Sequence, residues 1–226
     1  MWEIMAVVDL YDVMRSTGAA RHFTGEPLPD DVLARILDNS RFAPSGGNRQ
    51  GAHVVVVRDS AIREAIAEMS VAGYRRYVAQ LAHGESPWNP LQPCGVDADT
   101  VAQTTVPPDM TASLTTADVL LVVCVDLGVV AAVDQDLDRI GVVSGASIYP
   151  LVWNVLLAAR NEGFGGVLTT MAIVREPDVK ELLRIPAHYA VAALVPLGKP
   201  VKQVSHLTRR PVTEFVTRER FDGPAF

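Results

Sequence analysis

Two runs of β-branched and aliphatic residues constrain the fold of this chain more than any other feature. They are HVVVVRD, from His53 to Asp59, and DVLLVVCVD, from Asp118 to Asp126. A strand that is apolar at consecutive positions is typically covered on both faces. Asp126 splits the longer apolar stretch into two seven-residue pieces, and neither reaches the roughly 20 residues that span a bilayer. The pattern therefore predicts buried strands rather than a membrane helix.

Helical patterns alternate with these strands. Helices are predicted from Pro29 to about Phe42, in SAIREAIAEM with Ser60 as its cap, from about Ile140 to Arg160 with Gly163 as its C-terminal cap, and over EPDVKELL; further strands are predicted near Val167 and from Tyr189 to Gly198. This order favours an α/β or α+β sandwich with helices on both faces of one sheet. A length of 226 residues, 49% of them hydrophobic, suits one core, so we expect a single domain over residues 1–226.

Residues 84–116 break this rhythm with five prolines and two glycines. A structureless insertion of this length in a compact domain is usually a lid, a binding loop or a partner-facing arm. Trp88 and the Pro107-Pro108 pair are candidates for covering a bound ligand. The alternatives are that Trp88 is a packing anchor and that the segment is a solvated excursion without a role.

Charge and cysteine content exclude several classes of function. A net charge of −6 and a pI near 5.3 argue against nucleic acid or an anionic membrane as the main partner. Cys94 and Cys124 have no second Cys or His at metal-ligand spacing, so they indicate neither a disulfide framework nor a zinc site. Glu3 and Asp9 interrupt the first residues where an export signal would be basic and then apolar. A cytoplasmic protein with reduced thiols is expected.

No self-contained catalytic machinery is visible. Gly163, Gly165 and Gly166 follow a helix and lead into a strand, the reverse of a dinucleotide-binding fingerprint. There is no HExxH or GxSxG motif and no Cys/His pair suited to nucleophilic catalysis. The carboxylates from Asp134 to Asp138 lack a spaced set of ligands, which favours a solvated acidic turn over a cation site. The catalytic residues are unknown, no metal is expected, and any chemistry would be carried by a cofactor.

The motifs taken together resemble the nitroreductase family of FMN-dependent oxidoreductases. They are RS with R-x-F near the start, the helix beginning LPDDVL, APSGGNRQ, GFGGVLTT, and GKP followed by RRP, in the family's order over almost the whole chain. The resemblance implies an α+β fold, a three-layer α-β-α sandwich that forms an intertwined homodimer with FMN at two sites built from both subunits. It implies hydride transfer from NADH or NADPH to the flavin, and then electron transfer to a nitroaromatic, quinone or similar small acceptor in a ping-pong cycle.

The resemblance also implies which residues bind FMN. They are Arg15, Ser16, Thr17, Arg21, Pro44, Ser45, Gly46, Asn48, Gln50, Leu168, Thr169, Thr170 and Arg209. Arginine suits a phosphate because its planar fork binds two oxygens at once, and an Asn or Gln amide offers both a donor and an acceptor to a flavin edge. The 168–170 segment is expected to bring backbone N–H groups toward the flavin N5. Without the resemblance, Arg15, Arg21, Arg209 and Arg210 would be ordinary exposed arginines.

Two departures from the family pattern bear on the site. Gly18, Ala19 and Ala20 stand where the family often has arginine and polar residues, so the N-terminal phosphate contacts are open. Gly51 and Ala52 follow Gln50 where the family often has Pro-Trp, which removes a bulky aromatic. Alternative functions are a flavoprotein of the same fold with other chemistry, reductive dehalogenation or oxidative ring chemistry, and a non-catalytic flavin-binding protein. The sequence decides neither the electron acceptor nor the preference for NADH or NADPH.

Overall fold

A four-stranded sheet lies at the centre of the computed structural model, which describes residues 9–226. The strands are β1 (Ala52–Val57), β2 (Val119–Asp126), β3 (Gly165–Gly166) and β4 (Tyr189–Gly198). Their order across the sheet is β1-β2-β4-β3, and each neighbouring pair is antiparallel. His53 lies opposite Cys124, and Leu121 lies opposite Val195.

Seven α-helices surround the sheet in the described part of the chain. They are α1 (Leu10–Ser16), α2 (Asp30–Ser40), α3 (Ser60–Ala82), α4 (Ala98–Gln103), α5 (Asp109–Thr116), α6 (Tyr149–Asn161) and α7 (Glu176–Leu183). Short 3₁₀ helices occur at Gly46–Asn48, Val143–Ser147, Met171–Arg175 and Val212–Glu214. None of the helices from residue 9 onward has the length and apolar character needed to cross a membrane.

Strand β2 is buried on both faces, as its continuous apolar pattern predicts; the same prediction for β1 was wrong, because β1 is an edge strand that leaves Val56 exposed. Leu121 and Val123 point into a core shared with α2 and α6, whereas Leu120 and Val122 point into a second core shared with α3, α5 and α7. This follows from the two-residue period of a strand. The predicted α+β sandwich with helices on both faces is confirmed.

The start of α6 differs from the sequence prediction of a helix from about Ile140. The α-helix begins at Tyr149, after the 3₁₀ helix Val143–Ser147, and places Pro150 in its first turn. There the missing proline N–H costs nothing, because the first N–H groups of a helix have no intrahelical acceptor. Gly163 follows the helix with φ 77°, in agreement with the predicted cap.

The third strand is shorter and earlier than predicted. Strand β3 is confined to Gly165–Gly166, and beyond Val167 only Thr169 pairs with β4, through a bridge to Leu194. A Cβ at Gly166 would lie 2.3 Å from the carbonyl oxygen of Pro196. The glycine therefore permits the close approach of the two strands.

Two other local predictions need correction. The side chain that caps α3 belongs to Asp59, which accepts a hydrogen bond from the backbone N–H of Ile62 at 2.9 Å, and Ser60 is the first helical residue. The 84–116 segment is not structureless, because it contains α4 and α5, and α5 packs against α3.

Candidate functional site

Ser16 and Thr17 of the N-terminal motif are buried at the end of α1. The Ser16 hydroxyl donates to the carbonyl of Asp12 at 2.6 Å and accepts from Arg160 Nε at 3.1 Å. The Thr17 hydroxyl donates to the carbonyl of Val13 at 2.7 Å. Both hydroxyls therefore hold the end of α1 within this chain.

The two arginine-bearing segments near the start and end of the sequence lie side by side. The N–H of Leu207 donates to the carbonyl of Arg15 at 3.0 Å, and a Cβ at Gly18 would lie 3.1 Å from the Val204 side chain. Arg15, Arg21 and Arg209 are exposed. The fold thus brings backbone carrying three exposed guanidinium groups to one region of the surface.

A cavity of about 440 Å³ opens beside the N-terminal motif. Its walls include Thr17, Gly18 and Arg21 of the N-terminal segment, Trp153 of α6, and Leu168. Most of the lining surface is carbon, and we call this space the apolar cavity. Apolar walls that include a cation suit a flat ring that carries an anionic group.

A second cavity, of about 420 Å³, shares Arg21 and Leu168 with the first. Tyr74 and Tyr77 of α3 line it, together with Thr170. It also contains Asp109 and Met110 at the start of α5. We call it the polar cavity, and the shared residues show that the two cavities adjoin.

The 168–170 segment, predicted to supply backbone N–H groups, lies between these cavities. The Thr169 N–H donates to the carbonyl of Leu194 at 2.9 Å, so it is engaged within the sheet. The N–H groups of Leu168 and Thr170 have no acceptor among the described residues. These two amides, rather than all three, are therefore free to meet a ligand.

Gly73 determines how closely α3 approaches this segment. A Cβ there would lie 2.4 Å from the carbonyl oxygen of Met171. Gly73, Tyr74 and Tyr77 were not among the site residues predicted from the sequence. The spacing of Tyr74 and Tyr77, three residues apart on one helix face, was the available signal, but only the fold shows that the face meets residues 169–171.

The loop carrying Ser45, Asn48 and Gln50 is held in a fixed shape. Asn48 and Gln50 have φ values of 53° and 50°, a region where asparagine is tolerated and most residues are strained. The Ser45 hydroxyl accepts from the Gln50 N–H, and the Gly46 N–H donates to the hydroxyl of Ser147, both at 3.0 Å. The side chains of Asn48 and Gln50 are exposed.

The predicted cofactor residues therefore form two groups within one chain. Pro44, Ser45 and Gln50 line a small cavity of about 150 Å³ with Ser147 and Leu151. None of the residues described as lining that cavity lines the apolar or polar cavity. The start of α6 lies between the groups, with Leu151 on one side and Tyr149 and Trp153 on the other.

Trp88 packs within its own chain. The Arg76 guanidinium lies over the indole ring at 4.2 Å, and the backbone N–H of Trp88 donates to Oε1 of the buried Gln80 side chain at 3.2 Å. This contact favours the packing-anchor alternative for Trp88. By contrast, Asp109 and Met110, next to the Pro107-Pro108 pair, do line the polar cavity.

Asp134 is buried, which corrects the prediction of a solvated acidic turn from Asp134 to Asp138. Its carboxylate accepts from the N–H groups of Val142 and Val143 and from Arg139 Nη1. The bonds from these backbone N–H groups and from the guanidinium favour the charged form and lower the Asp134 pKa to about 2. Asp136 and Asp138 are exposed as expected.

Two relatives match this chain over nearly its whole length. An iodotyrosine dehalogenase 1 homolog of Caenorhabditis elegans is 27% identical over 210 residues, which are 92% of this chain and 60% of that relative's length. An NADH dehydrogenase of Thermus thermophilus is 26% identical over 212 residues, 94% of this chain and 97% of its own. The chain thus spans about three fifths of the first relative and nearly all of the second.

Among solved structures, oxidized iodotyrosine deiodinase bound to FMN and 3-iodo-L-tyrosine superposes with a TM-score of 0.67 at 20% identity. The match covers 94% of this chain and 99% of the other. The sequence profile of the nitroreductase family matches residues 14–199. On this match, the chain belongs to the nitroreductase family.

Proposed function

We propose that this protein is an FMN-dependent oxidoreductase that takes a hydride from NADH or NADPH and reduces a small acceptor, such as a nitroaromatic or a quinone, in a ping-pong cycle. The observation that carries the proposal is the convergence of two arginine-bearing segments beside adjoining apolar and polar cavities. FMN combines a flat apolar ring, a polar ring edge and a phosphate, so it requires these three surroundings together. The flavin would supply the electron-carrying chemistry.

The residues of the site fit distinct parts of FMN. Arg15, Arg21 and Arg209 are exposed and suited to a phosphate. The free N–H groups of Leu168 and Thr170 would donate to the ring, and Trp153 would cover apolar surface. The buried hydroxyls of Ser16 and Thr17 shape the end of α1, so we assign them a supporting role rather than direct phosphate binding.

A complete site requires a second copy of the chain. Ser45 and Gln50 line a cavity that shares no described lining residue with the apolar or polar cavity, so one chain presents the two halves of the proposed site at separate places. In a homodimer, the loop of one subunit would complete the cavities of the other, giving two equivalent sites. This arrangement agrees with the intertwined homodimer expected from the resemblance.

The test is the visible absorption of the purified protein before and after anaerobic addition of NADH or NADPH. A bound flavin that is reduced would lose its band near about 450 nm. Arg209→Ala should release FMN more readily than the wild type, whereas Arg175→Ala, which removes an exposed arginine paired with Asp178, should not. Absence of flavin after incubation with FMN would overturn the proposal.

Reductive dehalogenation is a second candidate, favoured by the iodotyrosine dehalogenase homolog among the relatives. The absence of Pro-Trp after Gln50 leaves Gly51 and Ala52 at a position where a bulky ring would narrow the site. The reduced protein should be offered a nitroaromatic, a quinone and a halogenated phenol in parallel. Reoxidation by the phenol with release of halide, and not by the other two, would establish the dehalogenase.

A further inference from the structure

Residues 126–147 connect the last residue of β2 to the start of α6. They run along the loop that carries Ser45, Asn48 and Gln50. We call residues 126–147 the loop clamp. At one end, the Asp126 N–H donates to the Gly51 carbonyl at 2.9 Å, and the Val129 side chain occupies the space beside Gly51. At the other end, Ser147 Oγ accepts from the Gly46 N–H.

Hydrophobic burial does not hold the middle of the loop clamp in place. Val133 is 80% exposed, and Leu137, Ile140 and Val142 are 55%, 62% and 67% exposed. Since apolar side chains stabilise a segment by leaving water, these four contribute little to its shape within one chain. Turn hydrogen bonds, such as that from the Leu137 N–H to the Asp134 carbonyl, join only residues close in sequence. Another interaction must join the two ends of the path between residues 133 and 143.

That interaction is the Asp134 carboxylate, whose side chain is 5% exposed. Its Oδ2 atom accepts from the N–H groups of Val142 and Val143 at 2.8 and 3.2 Å and from Arg139 Nη1 at 2.7 Å. Val142 and Val143 are the cap and the first residue of the 3₁₀ helix Val143–Ser147. The carboxylate thus fixes the beginning of a helix whose last residue holds Gly46.

We propose that Asp134 is a positioning residue for the proposed flavin-binding loop, acting through Ser147. By fixing the start of the Val143–Ser147 helix, it keeps the Ser147 hydroxyl beside the Gly46 N–H. That bond sets the path of Ser45 through Gln50, and therefore where the Asn48 and Gln50 amides point. The inference rests on the proposed function for its link to FMN, but not for the link between Asp134 and Gly46.

The first experiment measures that link without a cofactor. Hydrogen exchange of the Gly46 amide, followed by NMR in the protein without FMN, should be faster in both Asp134→Ala and Ser147→Ala than in the wild type. Asp138→Ala is the matched control, because Asp138 is exposed in the same acidic turn, and it should leave exchange unchanged. Unchanged Gly46 exchange in Asp134→Ala would overturn the inference whether or not the protein binds FMN.

The second experiment is a double-mutant cycle on the FMN dissociation constant. A hydrogen bond is worth on the order of 1 kcal/mol net, which is up to about tenfold in affinity, so each single variant should bind FMN up to about tenfold more weakly. If Asp134 acts through Ser147, the double variant should bind no more weakly than Ser147→Ala alone. Losses that multiply to about a hundredfold would contradict the inference.

Asp134→Asn distinguishes positioning from general loss of stability. An asparagine keeps an oxygen that can accept from the Val142 N–H, so FMN affinity should recover in part relative to Asp134→Ala. This variant also serves if Asp134→Ala fails to fold. If the wild type itself takes up no FMN, the proposed function fails, while the Gly46 exchange measurement still decides the role of Asp134.

Discussion

Position 73 requires a glycine because the backbone of another segment lies too close for a Cβ atom, and not because the residue has an unusual φ angle. It lies inside α3, where replacing glycine by alanine normally stabilises a helix by about 1 kcal/mol. Here the added Cβ would lie 2.4 Å from the Met171 carbonyl oxygen, and backbone cannot move aside as a flexible side chain can. We expect Gly73→Ala to destabilise the protein by about 1–3 kcal/mol, measured by urea unfolding.

The neighbouring residue supplies the control for this prediction. Ala72→Gly lowers helix propensity and removes a half-buried methyl group, which together should cost about 1–2 kcal/mol, without affecting the 169–171 segment. Gly73→Ala should in addition displace Thr169 and Thr170 and so weaken any ligand bound in the polar cavity. A rise in stability in Gly73→Ala would show that α3 does not contact Met171 as described.

Asp134 should make stability depend on pH at the acid end. Its pKa is lowered from 3.8 to about 2 in the folded chain, so the folded state favours the charged carboxylate. The resulting stability is fully present above about pH 4 and is lost as the pH falls toward 2. Asp134→Asn should unfold at a lower urea concentration than the wild type at pH 7, and the difference should shrink between pH 4 and 2.

Asp138→Asn is the control for the pH measurement, since its carboxylate is exposed. It should show nearly the wild-type urea midpoint at each pH. If the difference in urea midpoint between Asp134→Asn and the wild type stays constant down to pH 2, the charge of Asp134 does not contribute to stability. Its contacts with Arg139 and the two valine amides would then not depend on that charge.

At the scale of whole elements, the stability of α3 depends on the residue that caps its N-terminus. The Asp59 carboxylate accepts from the Ile62 N–H at 2.9 Å, which satisfies one of the donors left free at a helix start. Asp59→Ala should cost about 1 kcal/mol of unfolding free energy, measured by urea denaturation. Ser60→Ala should leave the unfolding free energy almost unchanged, since Ser60 is already helical. If Ser60→Ala costs more than Asp59→Ala, Ser60 is the cap after all.

The elements with one dominant local signal could be predicted from sequence. The β-branched runs gave β1 and β2, and EPDVKELL gave α7, because periodicity and caps act within a few residues. The predicted start of α6, near Ile140, was wrong. The Asp134 carboxylate accepts hydrogen bonds from the N–H groups of Val142 and Val143, and so fixes the start of a 3₁₀ helix that precedes the α-helix. Such a contact between loop and helix start leaves no period in the sequence.

The residues of the candidate site could likewise be predicted only where a local motif marks them. The glycine-rich loop and the arginines stand out by composition, and their grouping into one family pattern gave their expected roles. The contribution of Tyr74 and Tyr77 was not predictable, because it depends on α3 meeting the 169–171 segment about a hundred residues later. The position of Gly73 against Met171 depends on the same long-range contact.

On the scale of the whole molecule, the last 16 residues are mostly exposed to solvent. They are residues 211–226, which we call the arm. It folds back on itself through a bridge between Thr217 and Ala225, and leaves Phe215 and Phe221 exposed.

Exposed aromatic side chains on such an arm are expected to be covered by a partner, and we propose a second copy of the chain, because the proposed site would be completed by one. We predict that the protein sediments as a dimer and that removing residues 211–226 shifts it to monomer at micromolar concentration.

Two of the exposed phenylalanines of the arm can be tested without removing it. The double variant Phe215→Ser, Phe221→Ser should also weaken the dimer. Leu91→Ser, which changes one exposed leucine outside the arm, is the control and should leave it intact. Because one chain holds the two groups of predicted cofactor residues apart, FMN affinity should fall together with the dimer in the arm variants. A wild-type protein that sediments as a monomer while retaining FMN would show that the Asn48 and Gln50 loop is not needed to complete the site.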